Sequence, residues 1–328
     1  MFGPFMIKFH MNISAHSFIP KTARGPNYFL LPLLLLLMFS CGKSPEKTVI
    51  VDLKEKVETQ RDLTTVDGAP MRIAIGAMIS PRETAAYYDQ MMSYVSRKVG
   101  RPVELVQKKT YQEINDLLEK KEIELAFVCA GPYVAGKKKF GMELLVAPVL
   151  YGKPFYQAYF IVRKDSPVKD FEGLRGKRFA FTDPNSNTGT LVPTYMLATL
   201  REKPDTFFRS YIYTYGHGKS IKAVSKGIVD GASVDGLIWD YYHERDPEFV
   251  KGTRVIHRSP FYGIPPVVVH PHTPSRTKEA LRKIFLNMHV DPEGSRILAE
   301  LKIDRFILPQ DSSYDSVRQM QNWIDSGK

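Results

Sequence analysis

From Met71 onward, hydrophobic and polar positions alternate with two different periods. Short apolar runs at 72–76, 103–106, 123–129, 144–149 and 156–162 predict buried strands. Between them stand stretches with apolar residues at helical spacing, at 80–98, 111–120 and 132–139. The first helix has a strong start signal. Ser80, Pro81 and Glu83 form a capping-box pattern with proline in the first turn, and Gly100 supplies the stop. After a polar connection at 164–175 the pattern restarts. Strands are predicted at 178–181, 210–214, 228–234, 255–257 and 265–270, with helices from about 189 and at 220–226 and 237–243. Three helical segments follow, at 277–288, 293–301 and 313–324. Strands alternating with helices predict a mainly parallel α/β sheet in each of two similar units. No tandem repeat of fixed period occurs.

The first seventy residues read differently. Lys21 and Arg24 precede an apolar run of eleven residues, Phe29 to Phe39. A spanning helix needs ~20 such residues, so this is an export signal rather than a membrane anchor. Met1 and Met11 both fit as its start. Residues 42–70 are polar, with only Leu53 and Val57 spaced for a short helical turn, and fit a flexible tether. The expected organisation is therefore a signal at 1–40, a tether at 41–70, a first lobe at 71–162 plus 259–328, and a second lobe at 163–258.

The formal net charge is +11, and three of the cations precede Cys41. The remaining Lys and Arg are scattered among acids, and the longest run is Lys137-Lys138-Lys139. This is a solvated surface with a mild attraction for anions rather than a nucleic-acid stripe. The two cysteines, Cys41 and Cys129, form no disulfide framework and no metal spacing. Cys129 ends an apolar run and reads as a buried small residue.

The chemistry concentrates after the strand at 178–181. The turn Asp183-Pro-Asn-Ser-Asn-Thr-Gly189 brings Ser186, Asn187, Thr188 and Gly189 to a helix start. The first N–H groups of a helix lack internal partners and favour anions. Hydroxyls and an amide add further donors. The same residues also fit an ordinary helix cap, and the sequence leaves both readings open. His217 is either a cap or surface residue, or an N–H donor to an anion. Asp235 either caps the helix at Leu237 or faces the ligand. Tyr133, Tyr151 and Tyr156 stand near element ends, where they pack at lobe edges or wall a ligand. Gly216-His-Gly-Lys-Ser220 fails as a phosphate-binding loop, because Tyr213 stands where glycine is needed. Ser186, His217 and Asp235 lack the nucleophile elbow of a hydrolase, so no enzyme, cofactor or metal is expected.

Two sets of residues resemble known families. Leu37-Met-Phe-Ser-Cys41 is similar to a bacterial lipobox, which implies cleavage before Cys41 and its lipidation. Asp183-Pro-Asn-Ser-Asn-Thr-Gly189 with Leu191-Val-Pro193, Tyr215-Gly-His217 and Val229-Asp230 resembles the PhnD family of phosphate-, phosphite- or phosphonate-binding proteins of ABC importers. The resemblance covers about residues 71–305. It implies a two-lobed type II periplasmic-binding-protein fold with the ligand in a cleft between lobes. It also implies a small phosphorus oxyanion gripped by Ser186, Asn187, Thr188 and His217. Asn187 stands where threonine is usual, and Val128 and Ile264 replace an aromatic and an acid. A monomer working with a permease and an ATPase is expected, exported and anchored through Cys41, without nucleic acid. A sensory module feeding a partner kinase or receptor is the alternative.

Overall fold

The computed structural model describes residues 68–76 and 81–326, excepting the side chains of 81–87 and thus Glu83 of the capping box. The signal, Cys41, the tether up to residue 67 and Ser80 lie outside the described residues. The chain begins with β1 (Met71–Ile75), α1 (Pro81–Val99), β2 (Val103–Val106), α2 (Tyr111–Glu119), β3 (Leu125–Phe127), α3 (Ala130–Phe140), β4 (Glu143–Val149), β5 (Phe155–Tyr156) and β6 (Ala158–Arg163). It continues with β7 (Arg178–Phe181), α4 (Val192–Thr199), α5 (Pro204–Phe207), β8 (Ser210–Tyr213), α6 (His217–Ser225), β9 (Gly231–Asp235), α7 (Gly236–Arg245), α8 (Pro247–Val250) and β10 (Thr253–Arg258). The last elements are β11 (Tyr262–Gly263), β12 (Val267–Val269), α9 (Ser275–Asn287), α10 (Pro292–Glu300), β13 (Arg305–Ile307) and α11 (Asp315–Asp325).

Side-chain chemistry sets several of these boundaries. Thr110 and Glu113 form a reciprocal capping box at α2. Asp291 accepts from the amides of Glu293 and Gly294, both at 3.0 Å, and starts α10. The central strands are apolar on both faces because helices cover both sides. Gly227 takes a φ of +67°, turning the chain out of α6 and shortening the predicted strand at 228–234 to β9.

Two sheets result, ordered β13-β4-β12-β3-β1-β2 and β10-β6-β9-β7-β8. Neither is mainly parallel. β1, β2 and β3 run parallel, as do β7, β8 and β9, but β12, β13, β6 and β10 pair antiparallel. The physical reason is that the chain crosses between the sheets twice. β6 enters the second sheet, and β12 re-enters the first, each against its neighbours. The strand predicted within the first unit at 156–162 is thus β6, paired inside the second sheet with β9 and β10. β13 was not legible in the sequence pattern. Where the chain crosses, β5 and β11 form a two-stranded ribbon, with Tyr262 opposite Tyr156.

Contacts bind the two lobes across the cleft. Asp183 Oδ2 accepts from the Tyr111 amide at 3.0 Å, so an acid of the second lobe meets the start of α2 in the first. Asn185 donates to Gln112 at 3.1 Å. Tyr195 and Trp323 meet edge to face at 5.3 Å, tying α11 to α4.

Gly131, in the first turn of α3, sits against the second lobe. A Cβ there would lie 2.4 Å from the Asn185 carbonyl oxygen and 3.2 Å from the Asn187 nitrogen, both backbone atoms. Gly131→Ala should therefore cost about 1–3 kcal/mol and hold the lobes apart. Urea unfolding and solution scattering check this. An unchanged urea midpoint with an unchanged scattering profile would mean that α3 does not press on this turn.

Candidate functional site

Strand direction gathers the site. β8, β7 and β9 are adjacent and parallel, so their carboxyl ends share one edge. The residues that follow or end them are Thr182 to Gly189, His217 and Asp235. Ligands of open α/β sheets bind at such an edge. Three helices also begin there.

The turn is built from its own side chains. Asp183 Oδ1 accepts from the Asn185 amide at 2.8 Å, and the Asp183 carbonyl accepts from the Ser186 amide at 2.9 Å. Ser186 Oγ accepts from the Gly189 amide at 3.0 Å, which is the cap that the sequence left open. Its hydroxyl proton remains for a second bond. The helix predicted from about 189 begins instead with a widened turn at Asn187–Leu191. The Ser186 carbonyl takes both the Thr190 amide at 3.1 Å and the Leu191 amide at 2.9 Å. Such π-type turns are frequent at functional sites. Gly189 lies against Thr182, where a Cβ would fall 1.6 Å from Oγ1.

Ser186, Asn187, Thr188, His217, Asp235 and Tyr156 are all buried. Among the described residues, Thr182 Oγ1, Asn187 Oδ1, Thr188 Oγ1 and His217 Nε2 find no hydrogen-bond partner. Buried polar groups are nearly always paired, so four in one region call for a physical explanation. Hydrogen bonds tie several of these residues to their neighbours. Ser233 Oγ donates to the Thr188 carbonyl at 2.6 Å, and two residues on, the Asp235 amide donates to His217 Nδ1 at 2.9 Å. Asn187 Nδ2 donates to the Tyr156 hydroxyl at 3.1 Å, and Cys129 Sγ lies 3.5 Å from that hydroxyl.

The bond at Nδ1 fixes the His217 tautomer. A nitrogen that accepts carries no proton, so the proton sits on Nε2. Burial also lowers the imidazole pKa to about 3. His217 is therefore a neutral donor, not an imidazolium. Burial raises the Asp235 carboxyl to about 7, although Oδ1 accepts from the Leu237 amide at 2.9 Å and so caps α7. A catalytic triad requires His Nδ1 to donate to the carboxylate. Here it accepts from a backbone amide, and Ser186 Oγ is the turn's cap.

Tyr133 is placed differently. Its hydroxyl donates to Asp311, and its ring meets Tyr314 edge-on at 4.8 Å. That hydroxyl serves the C-terminal segment. Thr182 and Ser233 were missed in the sequence. The signal for Thr182 was its place one residue beyond a parallel strand. Cys129 is buried and free, as read, and it also touches Tyr156. Among the described residues, no Lys or Arg bonds to this network, and no cluster of His, Cys, Asp and Glu is placed to hold a metal ion.

Known proteins share both sequence and fold with this chain. It is 30% identical over 173 residues to the phosphonates-binding periplasmic protein of Escherichia coli K12, covering 52% of this chain and 51% of that one. It is 29% identical over 192 residues to the phosphate-import protein PhnD of Mycolicibacterium smegmatis, covering 53% and 59%. The chain thus spans about half the length of these curated relatives. In fold it is similar to a binding-protein component of an ABC phosphonate transporter from Pseudomonas aeruginosa, with a TM-score of 0.74, 22% identity, and coverage of 78% and 86%. PhnD1 of Prochlorococcus marinus MIT 9301, solved with methylphosphonate, gives 0.71 at 15% identity, covering 78% and 98%. Both likenesses are to two-lobed type II periplasmic binding proteins. Residues 73–314 match the family described as the periplasmic substrate-binding protein of phosphonate ABC transporters, and the chain belongs to that family.

Proposed function

We propose that this protein is the extracytoplasmic binding subunit of an ABC importer, and that it holds a small phosphorus oxyanion at the turn 186–189. The observation that carries this reading is the set of buried polar atoms, unpartnered among the described residues, beside the turn at 186–189 and at the start of α6. Thr188 Oγ1–H and His217 Nε2–H are donors waiting for an acceptor. Ser186 has a spare hydroxyl proton. The Asn187 amide supplies N–H donors if it turns, since the Tyr156 hydroxyl can donate to Oδ1 as readily as it accepts from Nδ2. Helix N-terminal dipoles supply the positive field without any fixed cation. Burial of every donor implies that the lobes open to admit the anion and close over it. A permease and an ATPase are the partners that this role requires.

The first test separates gripping from capping. A hydrogen bond to a charged group is worth ~1.5–3 kcal/mol. Thr188→Ala should weaken binding ten- to a hundred-fold for the tightest of phosphate, phosphite and methylphosphonate in calorimetry. Its own stability should change little, because Thr188 Oγ1 caps nothing. Unchanged affinity with a lowered apo melting temperature would assign the turn to structure alone.

Protonation gives a second test. The raised Asp235 pKa stabilises the fold below about pH 4, and this contribution is lost as pH rises towards about 7. The lowered His217 pKa acts oppositely, with stability present above about pH 6.5 and lost as pH falls towards about 3. The two contributions oppose each other in the intact protein. His217→Gln should therefore make apo stability fall more steeply from pH 4 to 7, and Asp235→Asn should make it rise more steeply from pH 3 to 6.5. Denaturant midpoints across pH decide this, and identical profiles for both variants would contradict the assignment. Because His217 donates while neutral, its removal should weaken methylphosphonate binding equally at pH 5 and pH 8.

Anchoring rests on the lipobox-like segment. Cys41→Ser removes the thiol that would carry the lipid. The variant should move from the membrane to the soluble fraction on cell fractionation, and retention in the membrane would exclude lipidation at Cys41.

A further inference from the structure

The anion site adjoins a second feature whose chemistry is different. A cavity of about 100 Å³ lies between the first turn of α7 and the first lobe. Leu237, Ile238, Pro148, Leu150, Ile264 and Ile303 give it a largely apolar lining, which Tyr88 and Tyr241 also border. Among the described residues, Asp235 is the only charged one in its lining. That residue joins the two features, since its amide bonds to His217 and its side chain reaches the cavity edge. Leu237 and Ile238 are only half-buried although they stand at a buried site, so their apolar surface faces the cavity.

Resting on the oxyanion reading above, we infer that this cavity receives the uncharged, apolar substituent of an organophosphonate. The ligand would then be an alkyl- or arylphosphonate, rather than inorganic phosphate or an aminoalkylphosphonate. The argument is one of solvation. An alkyl group entering the cavity leaves water for an apolar wall, and each buried methylene tightens binding roughly fourfold. An ammonium group there would lose its hydration, which is costly unless it is paired. The one carboxyl among the described lining residues caps α7 through Oδ1, and its burial favours the uncharged form, so it is a poor counter-ion. Inorganic phosphate would fill the anion site and leave the cavity unused.

A calorimetric series tests the inference on the intact protein. The probes are phosphate, methyl-, ethyl-, propyl- and phenylphosphonate, and 2-aminoethylphosphonate. Affinity should rise roughly fourfold per methylene from methyl to propyl. Propylphosphonate and 2-aminoethylphosphonate have the same length and differ in one terminal group. The first should bind at least tenfold tighter, and Leu237→Glu should narrow or reverse that gap. If the variant fails to fold, the series on the unmodified protein still decides. Equal affinities along the alkyl series, or tighter binding of the aminoethyl compound, would overturn the apolar pouch while leaving the oxyanion site standing. Absence of binding by every probe would overturn both readings together.

Discussion

A buried polar atom must find a partner, and the whole site depends on that constraint. In this protein the rule is met almost everywhere around the cleft. Asp183 satisfies amides in both lobes, Ser186 satisfies Gly189, and the Asp235 amide satisfies His217 Nδ1. Among the described residues there, the exceptions are Thr182 Oγ1, Asn187 Oδ1, Thr188 Oγ1 and His217 Nε2. An unmade hydrogen bond costs about 1–3 kcal/mol per buried group. In the proposed function, the hydroxyl and imidazole donors among these groups recover that cost when an oxyanion accepts from them.

The donors of the proposed site are neutral, and that has consequences for selectivity. A buried lysine or arginine would attract any anion and would itself have to be desolvated. Hydroxyls, an amide and a neutral imidazole at helix starts instead offer directed N–H and O–H groups. Burial keeps the histidine uncharged near neutral pH and brings the aspartic acid close to half-protonation there. The same low-polarity surroundings explain both shifts, because they penalise whichever form carries charge.

Much of this was legible in the sequence. The strand ending at Phe181 and the cap at Ser186 were readable there, because strand period and cap chemistry are local. Asp235 as a cap was legible for the same reason. Sheet membership was not. Ala158–Arg163 looks like a strand of the first unit, and only its long-range pairing with β9 and β10 assigns it to the second sheet. The His217 tautomer was equally hidden, since it depends on an amide eighteen residues away. The partner of the Tyr133 hydroxyl was hidden too, since Asp311 lies far along the chain.

The central claim is that uncharged donors at the turn and at His217 hold the anion. A crystal structure of the protein with bound methylphosphonate tests it most directly. The account predicts phosphonate oxygens within hydrogen-bonding distance of Thr188 Oγ1 and His217 Nε2, with both lobes closed around the ligand. A phosphonate bound elsewhere, or held by a lysine or arginine side chain with Thr188 and His217 still unpartnered, would contradict it.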